Sequence, residues 1–181
     1  MSAEDTLSRF LAKKPKLSEG VFIAPSAIVV GDVRLGKNSS VWYNTVLRAD
    51  INYISIGEET NIQDGVIGHL ANELPLLVGK QVTVGHGAVI HACTIEDECL
   101  IGMNATVLDG ARIGKQSIVA AGAVVPVGTQ VPDGSLVAGV PGRIKRTLTD
   151  SQRSSLAGWA EKYLEVSKAH QSLGYENMID N

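Results

Sequence analysis

Aromatic residues are scarce: two Phe, two Trp and four Tyr among 181 positions. So few rings exclude a wide aromatic core and point to a narrow, aliphatic one. Cysteine is scarcer still. Cys93 and Cys99 cannot build a disulfide framework, and both read as small buried residues. There is no basic surplus, because 16 Lys and Arg face 19 Asp and Glu for a net charge of −3, so no electrostatic footprint for nucleic acid or an anionic membrane is expected. Long apolar runs are missing too, which excludes a membrane-spanning helix. Met1 to Phe10 carries Glu4 and Asp5 without an apolar stretch of the kind that directs secretion, so the cytoplasm is the expected location.

What the chain does have is a period of six. Aliphatic residues recur at Ile23, Val29, Leu35, Val41 and Leu47, at Ile56 and Ile62, at Val78, Val84 and Ile90, and from Ile95 through Ile101, Val107, Ile113 and Val119 to Val125. Glycine often follows, as at Gly36, Gly57, Gly79, Gly85, Gly102 and Gly114. A helical stripe would recur at three and four residues and a plain strand at two, so neither accounts for this spacing. Short repeats of this kind predict an all-β domain, a parallel β-helix in the form of a triangular prism, with three units per turn and the aliphatic side chains stacked along its axis. Glycine is expected at the corners, where the backbone bends.

The repeat ends near Gly139-Val140-Pro141-Gly142. Thr149-Asp150-Ser151-Gln152 then has the form of a capping box. Leu156, Trp159, Ala160, Tyr163, Val166 and Leu173 follow at helical spacing until Gly174, which predicts a single amphipathic helix packed on the prism. The expected organisation is therefore a β-helix domain with its N-terminal lead-in over residues 1–148, a helix over 149–174 and a tail over 175–181. His170, late on the helix, reads as a surface histidine near the negative helix end.

Three of the four histidines, His69, His86 and His91, fall in one short window. Two insertions interrupt the repeat there, nine residues from Leu47 to Ile56 and ten from Gly68 to Val78. Counting each as one unit puts Leu47, Gly68 and Ile90 on one face in successive turns, and Ile62 and Val84 on the face before it. Arg48, His69 and His91 then follow the first set by one residue, while Asp64 and His86 follow the second by two. His69 and His91 should stack at roughly 5 Å, the spacing of neighbouring strands. His86 points from another face, so a shared ion would require it from an adjacent copy of the chain, and a heterologous contact that closes into a threefold ring offers that. Three imidazoles with one open position form the ligand set of a catalytic zinc site.

The run Asn61-Ile62-Gln63-Asp64-Gly65, His69 five residues after Asp64, Gly85-His86-Gly87-Ala88-Val89-Ile90-His91, Cys93-Thr94-Ile95, Ile101-Gly102-Met103 and Leu47-Arg48-Ala49-Asp50 together resemble the γ-class carbonic anhydrase family, over about residues 15–172. The resemblance implies the left-handed sense of the β-helix and a homotrimer with three interfacial metal ions, zinc, iron or cobalt. It implies metal-dependent reversible hydration of CO2 to bicarbonate by metal-bound hydroxide. Carried over by position, His69 and His91 are ligands from one chain and His86 from the next. Gln63 bonds the water or substrate, Arg48 and Asp50 form an ion pair across the trimer interface, and Asp64 belongs to the same buried network.

The chain departs from the family pattern at three points. Ile51 stands where active members carry glutamate, the loop Leu70-Ala71-Asn72-Glu73-Leu74 is short, and Gly68 replaces a large aliphatic, which predicts a small void beneath His69. Glu73 is the remaining acid for proton transfer and Tyr163 a weaker hydroxyl candidate, so slow turnover is expected. The alternatives from the same fold are a non-catalytic trimeric assembly subunit and a hexapeptide-repeat acyltransferase or thioesterase.

Overall fold

The computed structural model describes residues 3–174. Its short strands pair almost entirely in parallel and form two sheets, one of eleven strands and one of eight. Three inward rows run the length of the molecule. One is Val29, Leu47, Gly68, Ile90, Val107 and Val125. The second is Ile23, Val41, Ile62, Val84, Ile101, Val119 and Val137. The third is Leu17, Leu35, Ile56, Val78, Ile95, Ile113 and Val131. This is a parallel β-helix of about seven turns, and its rows are the hexapeptide aliphatics. Their side chains are almost wholly buried from Leu47 to Val137. Each face contributes one residue per turn to these rows, so the core is narrow and has no room for rings.

Glycine does occupy left-handed corners, Gly65 and Gly87 among them, but not at every expected position. The glycines that follow the aliphatic residues, such as Gly57, are not at the left-handed corner; that position falls two residues later, at Glu59. Gly57 is needed because a β-carbon there would stand 2.4 Å from the Gly79 carbonyl of the next turn. Close stacking of turns, not backbone freedom, selects glycine at that point.

The first insertion is not a loop. Val46–Ile56 is a single extended strand that bends around a corner beside Ile28–Leu35, which makes two faces one continuous sheet. The second insertion forms a tight turn over Leu70–Pro75. The two backbone bonds between Ala71 and Leu74 close it, Leu70 anchors it in the core, and Asn52 donates from its amide to the carbonyls of Ala71 and Asn72.

One helix is additional to those expected and one helical expectation needs correction. The N-terminal lead-in contains a helix, α1 (Ala3–Phe10), which lies against the strand Val46–Ile56. The C-terminal segment is two helices, α2 (Asp150–Ser154) and α3 (Ala157–Leu173). The capping box forms as expected, with the Thr149 hydroxyl accepting from the Gln152 amide and the Gln152 side chain accepting from the Thr149 amide. The break follows because the Ser154 and Ser155 hydroxyls bond back to the carbonyls of Ser151 and Gln152 and compete with helical propagation, while Leu156 turns into the core. The expected tail, residues 175–181, lies outside the described residues. Among the described residues no helix is long and apolar enough to cross a membrane.

Helix α3 crosses the strands Phe22–Ile23, Ser40–Val41 and Asn61–Ile62. A cluster of Phe22, Trp42, Tyr43, Tyr163 and Val166 glues it there, so half of the eight aromatic residues fasten the helix outside the prism. His170 belongs to this cluster and is not a plain surface residue. Its ring centroid is 5.0 Å from that of Trp42, and its Nδ1 lies 2.9 Å from the Tyr43 hydroxyl.

Candidate metal centre

Strand alternation decides which way the histidines face. The strands Ile67–His69 and Val89–His91 pair with His91 directly opposite His69. Because Gly68 and Ile90 point inward, both imidazoles stand on the outer surface of adjacent turns. Nδ1 of His69 and Nε2 of His91 approach to 3.1 Å. Two nitrogens bound to one tetrahedral zinc at 2.0–2.1 Å lie about 3.3 Å apart, a span close to the observed 3.1 Å.

The remaining nitrogen of each ring is held by a carboxylate. His69 Nε2 is 3.0 Å from Asp50 Oδ1, and His91 Nδ1 is 2.5 Å from Asp109 Oδ1. Asp50 receives Arg48 on its other oxygen. Burial alone would raise the Asp50 carboxyl, but the hydrogen bonds from His69 and Arg48 outweigh it and hold the group below its ordinary value. The Arg48–Asp50 pair thus forms within one chain, with Arg48 still half exposed.

His86 lies on another face, at a corner beside the strand Thr83–Val84. Its Nδ1 is 2.7 Å from Asp64 Oδ2, and its Nε2 is turned toward the Tyr163 hydroxyl at 3.4 Å. Within the single chain Asp64 therefore partners His86 and is partly exposed. An apolar groove of about 350 Å³ opens beside His86, between α3 and the prism. Gln63, Leu100, Met103, Ile118, Trp159 and Tyr163 are among its walls. Gln63 is buried and donates from Nε2 to Asn61 Oδ1. Burial, with the nearby Asp64 charge, raises the Tyr163 phenol. Among the described residues no three His, Cys, Asp or Glu side chains of the single chain form a group able to hold a metal.

The departures from the family pattern have structural counterparts. Ile51 packs against the hydrophobic core, and Glu73 sits exposed on the Leu70–Pro75 turn. The void expected beneath His69 is absent, because Leu47 and Leu76 fill the space that a side chain at Gly68 would take. Asp109 escaped the sequence reading. Its signal lay in the repeat: it follows Val107, which shares a row with Ile90, but the step from Ile90 to Ile95 is five residues and carries Asp109 one position further along than a strict count of six would suggest. Both cysteines are buried, with their thiols pushed up to about 12 by desolvation.

Residues 92–126 match the family described as "Bacterial transferase hexapeptide (six repeats)". The chain is 44% identical to "Gamma carbonic anhydrase 2, mitochondrial" of Arabidopsis thaliana over 178 residues, 95% of this chain and 64% of that protein. It is 47% identical to the "Probable carbonic anhydrase" of Methanocaldococcus jannaschii over 156 residues, 86% of this chain and 98% of that one. A crystal structure of a hexapeptide transferase family protein from Anaplasma phagocytophilum superimposes with a TM-score of 0.83 at 39% identity, covering 86% and 92% of the two chains. The chain thus spans just under two thirds of the plant relative and nearly all of the archaeal one. By that extent of shared sequence and by its prism of hexapeptide turns, the chain belongs to the γ-class carbonic anhydrase family of β-helix proteins.

Proposed function

We propose that this chain assembles as a homotrimer, holds one zinc ion at each subunit interface and hydrates CO2 reversibly to bicarbonate. The observation that carries this reading is the facing pair of nitrogens on His69 and His91, 3.1 Å apart on one face, with His86 half exposed on another, its Nε2 beside the Tyr163 hydroxyl. His69 and His91 of one copy and His86 of the next would complete a three-imidazole set. The surroundings of each half support a contact between unlike faces. An outward ladder of Ile28, Val46, Ile67 and Val89 runs beside the row of His69 and His91, while Met103 and Trp159 remain exposed by the His86 groove. Burying such apolar surface would drive a head-to-tail ring.

A divalent ion in this ligand set supplies, when bound, a water acidified enough to attack the carbon of CO2 near neutral pH. The chain's own groups do the rest. Asp50 and Asp64 orient the rings of His69 and His86, Gln63 offers its amide beside His86 to bond water or product, and the apolar groove admits a neutral gas while limiting bulk water. The proton released at each turnover must reach solvent, and Glu73 is the acid on the adjoining turn. Its exposed position, together with the alkyl side chain of Ile51 packed against the core, supports a second reading in which the trimer serves as an assembly subunit with little turnover.

Metal analysis and a CO2 hydration assay on the same purified sample test both. Zinc at one per chain with buffer-dependent hydration is the expected result. Zinc without hydration at any buffer concentration supports the assembly reading, and absence of zinc, cobalt and iron removes the metal reading altogether.

A further inference from the structure

We infer that Asp109 is a positioning residue that dictates which nitrogen His91 presents to the metal; this rests on the metal reading above. A carboxylate only accepts hydrogen bonds, so Asp109 at 2.5 Å from Nδ1 keeps the ring proton on that nitrogen and leaves Nε2 with its lone pair facing His69. Without the carboxylate the neutral ring is free to carry its proton on Nε2, which closes that nitrogen to an ion.

Two features give Asp109 this role instead of that of a solvated corner charge. First, the corner that carries it is tied on both sides. The Asp109 carbonyl accepts from the Gly128 amide in the following turn, and the Gly110 amide donates to the Ala92 carbonyl, next to His91 in the preceding turn, each at 2.8 Å. The carboxylate is thus delivered from a fixed backbone and loses little freedom in meeting the ring. Second, the arrangement recurs. Asp50 holds Nε2 of His69 and Asp64 holds Nδ1 of His86, so each of the three imidazoles has one nitrogen gripped by its own aspartate and the other left clear of any carboxylate, that of His86 lying 3.4 Å from the Tyr163 hydroxyl. The aspartates come from separate turns and corners, yet they perform one task. Such outer carboxylates fix ring orientation and raise ligand basicity in metal sites.

The test is zinc affinity of the full chain, measured by competition with a chromophoric chelator. It is accompanied by the visible spectrum of the cobalt form, the sedimentation of the assembly and the melting temperature of the metal-free protein. Asp109→Ala is expected to weaken zinc by 10–100-fold and to alter the cobalt spectrum. Its assembly and metal-free melting temperature should stay as in the wild type, and Asp109→Glu should restore most of the affinity. If the Ala variant fails to fold, Asp109→Asn decides, since it keeps the shape while losing the charge; about a tenfold loss is expected. Zinc affinity and cobalt spectrum equal to wild type in these variants would overturn the inference while leaving the ligand set standing. A fall in metal-free stability that accounts for the whole affinity loss would also overturn it, by showing a structural role. Failure of the wild-type protein to bind zinc or cobalt would overturn the metal reading and this inference together.

Discussion

Leu47 occupies the space beneath residue 68. Its Cδ2 stands 2.6 Å from where a β-carbon on Gly68 would lie, with Leu76 Cδ2 at 3.2 Å on the other side. The core under His69 is therefore full without a side chain at that position. Gly68→Ile should overpack it and cost about 1–3 kcal/mol, seen as a lowered melting temperature. Combining it with Leu47→Ala should recover part of the loss; an unchanged melting temperature in the single variant would show that the turn yields instead.

Replacing any one of His69, His86 and His91 by Ala should sharply reduce zinc content. Mixed trimers distinguish ligands that cross the interface from ligands within one chain. Chains carrying His86→Ala and chains carrying His69→Ala each lack a complete set, yet a mixture regains an intact site wherever the His86 of a His69→Ala chain meets the His69 and His91 of a His86→Ala chain. No metal recovery on mixing, with assembly verified, would contradict sharing between subunits.

Acid stability should report Asp32. This nearly buried carboxylate receives Lys13 at 2.6 Å and Arg34 at 3.2 Å. Burial pushes the group up, but the bonds from Lys13 and Arg34 outweigh it and leave it below the ordinary 3.8. A depressed carboxyl adds stability that is complete above its unfolded value and drains away as pH falls through the folded one. The wild-type protein should therefore lose stability in urea melts as pH drops below about 4. Asp32→Asn should be less stable at pH 6 and show a flatter acid limb. Parallel wild-type and Asn curves across this range would contradict the account.

Cys93 and Cys99, buried and held as neutral thiols, should resist thiol reagents at pH 8 in the native protein and react in denaturant. Reaction of the native protein at the rate of a free thiol would mean that the prism opens at those turns.

Turnover should depend on external bases. With Ile51 packed against the core and Glu73 exposed, CO2 hydration is expected to be slow in dilute buffer and to rise with small imidazoles, which accept the proton by diffusion. Ile51→Glu should raise the buffer-free rate while lowering stability, because a carboxylate then replaces an alkyl group packed on the core. Fast hydration at low buffer in the unaltered chain would mean that Glu73 or Tyr163 already serves.

The rows of the prism were legible in the sequence because a solenoid core is one-dimensional. Each aliphatic residue contacts its counterpart one turn away, so counting Leu47, Gly68 and Ile90 through two insertions places them in a line, and the stacking of His69 on His91 follows from the same count. The capping box at Thr149 was legible for a similar reason, since both partners lie within one helical turn. Other features depend on groups that no local spacing connects. The carboxylate of Asp109 reaches His91 across adjacent turns at a corner where the step of six shortens to five, so the pairing depends on how that corner is built. Asp64 turns to His86 instead of Arg48 because a corner separates the faces. The glycines after the aliphatic residues answer to the backbone of the next turn, and the break between α2 and α3 comes from Leu156 seeking the core. A periodic pattern specifies which residues point inward; which polar side chains meet outside is decided by the geometry of the corners, where the repeat is least regular.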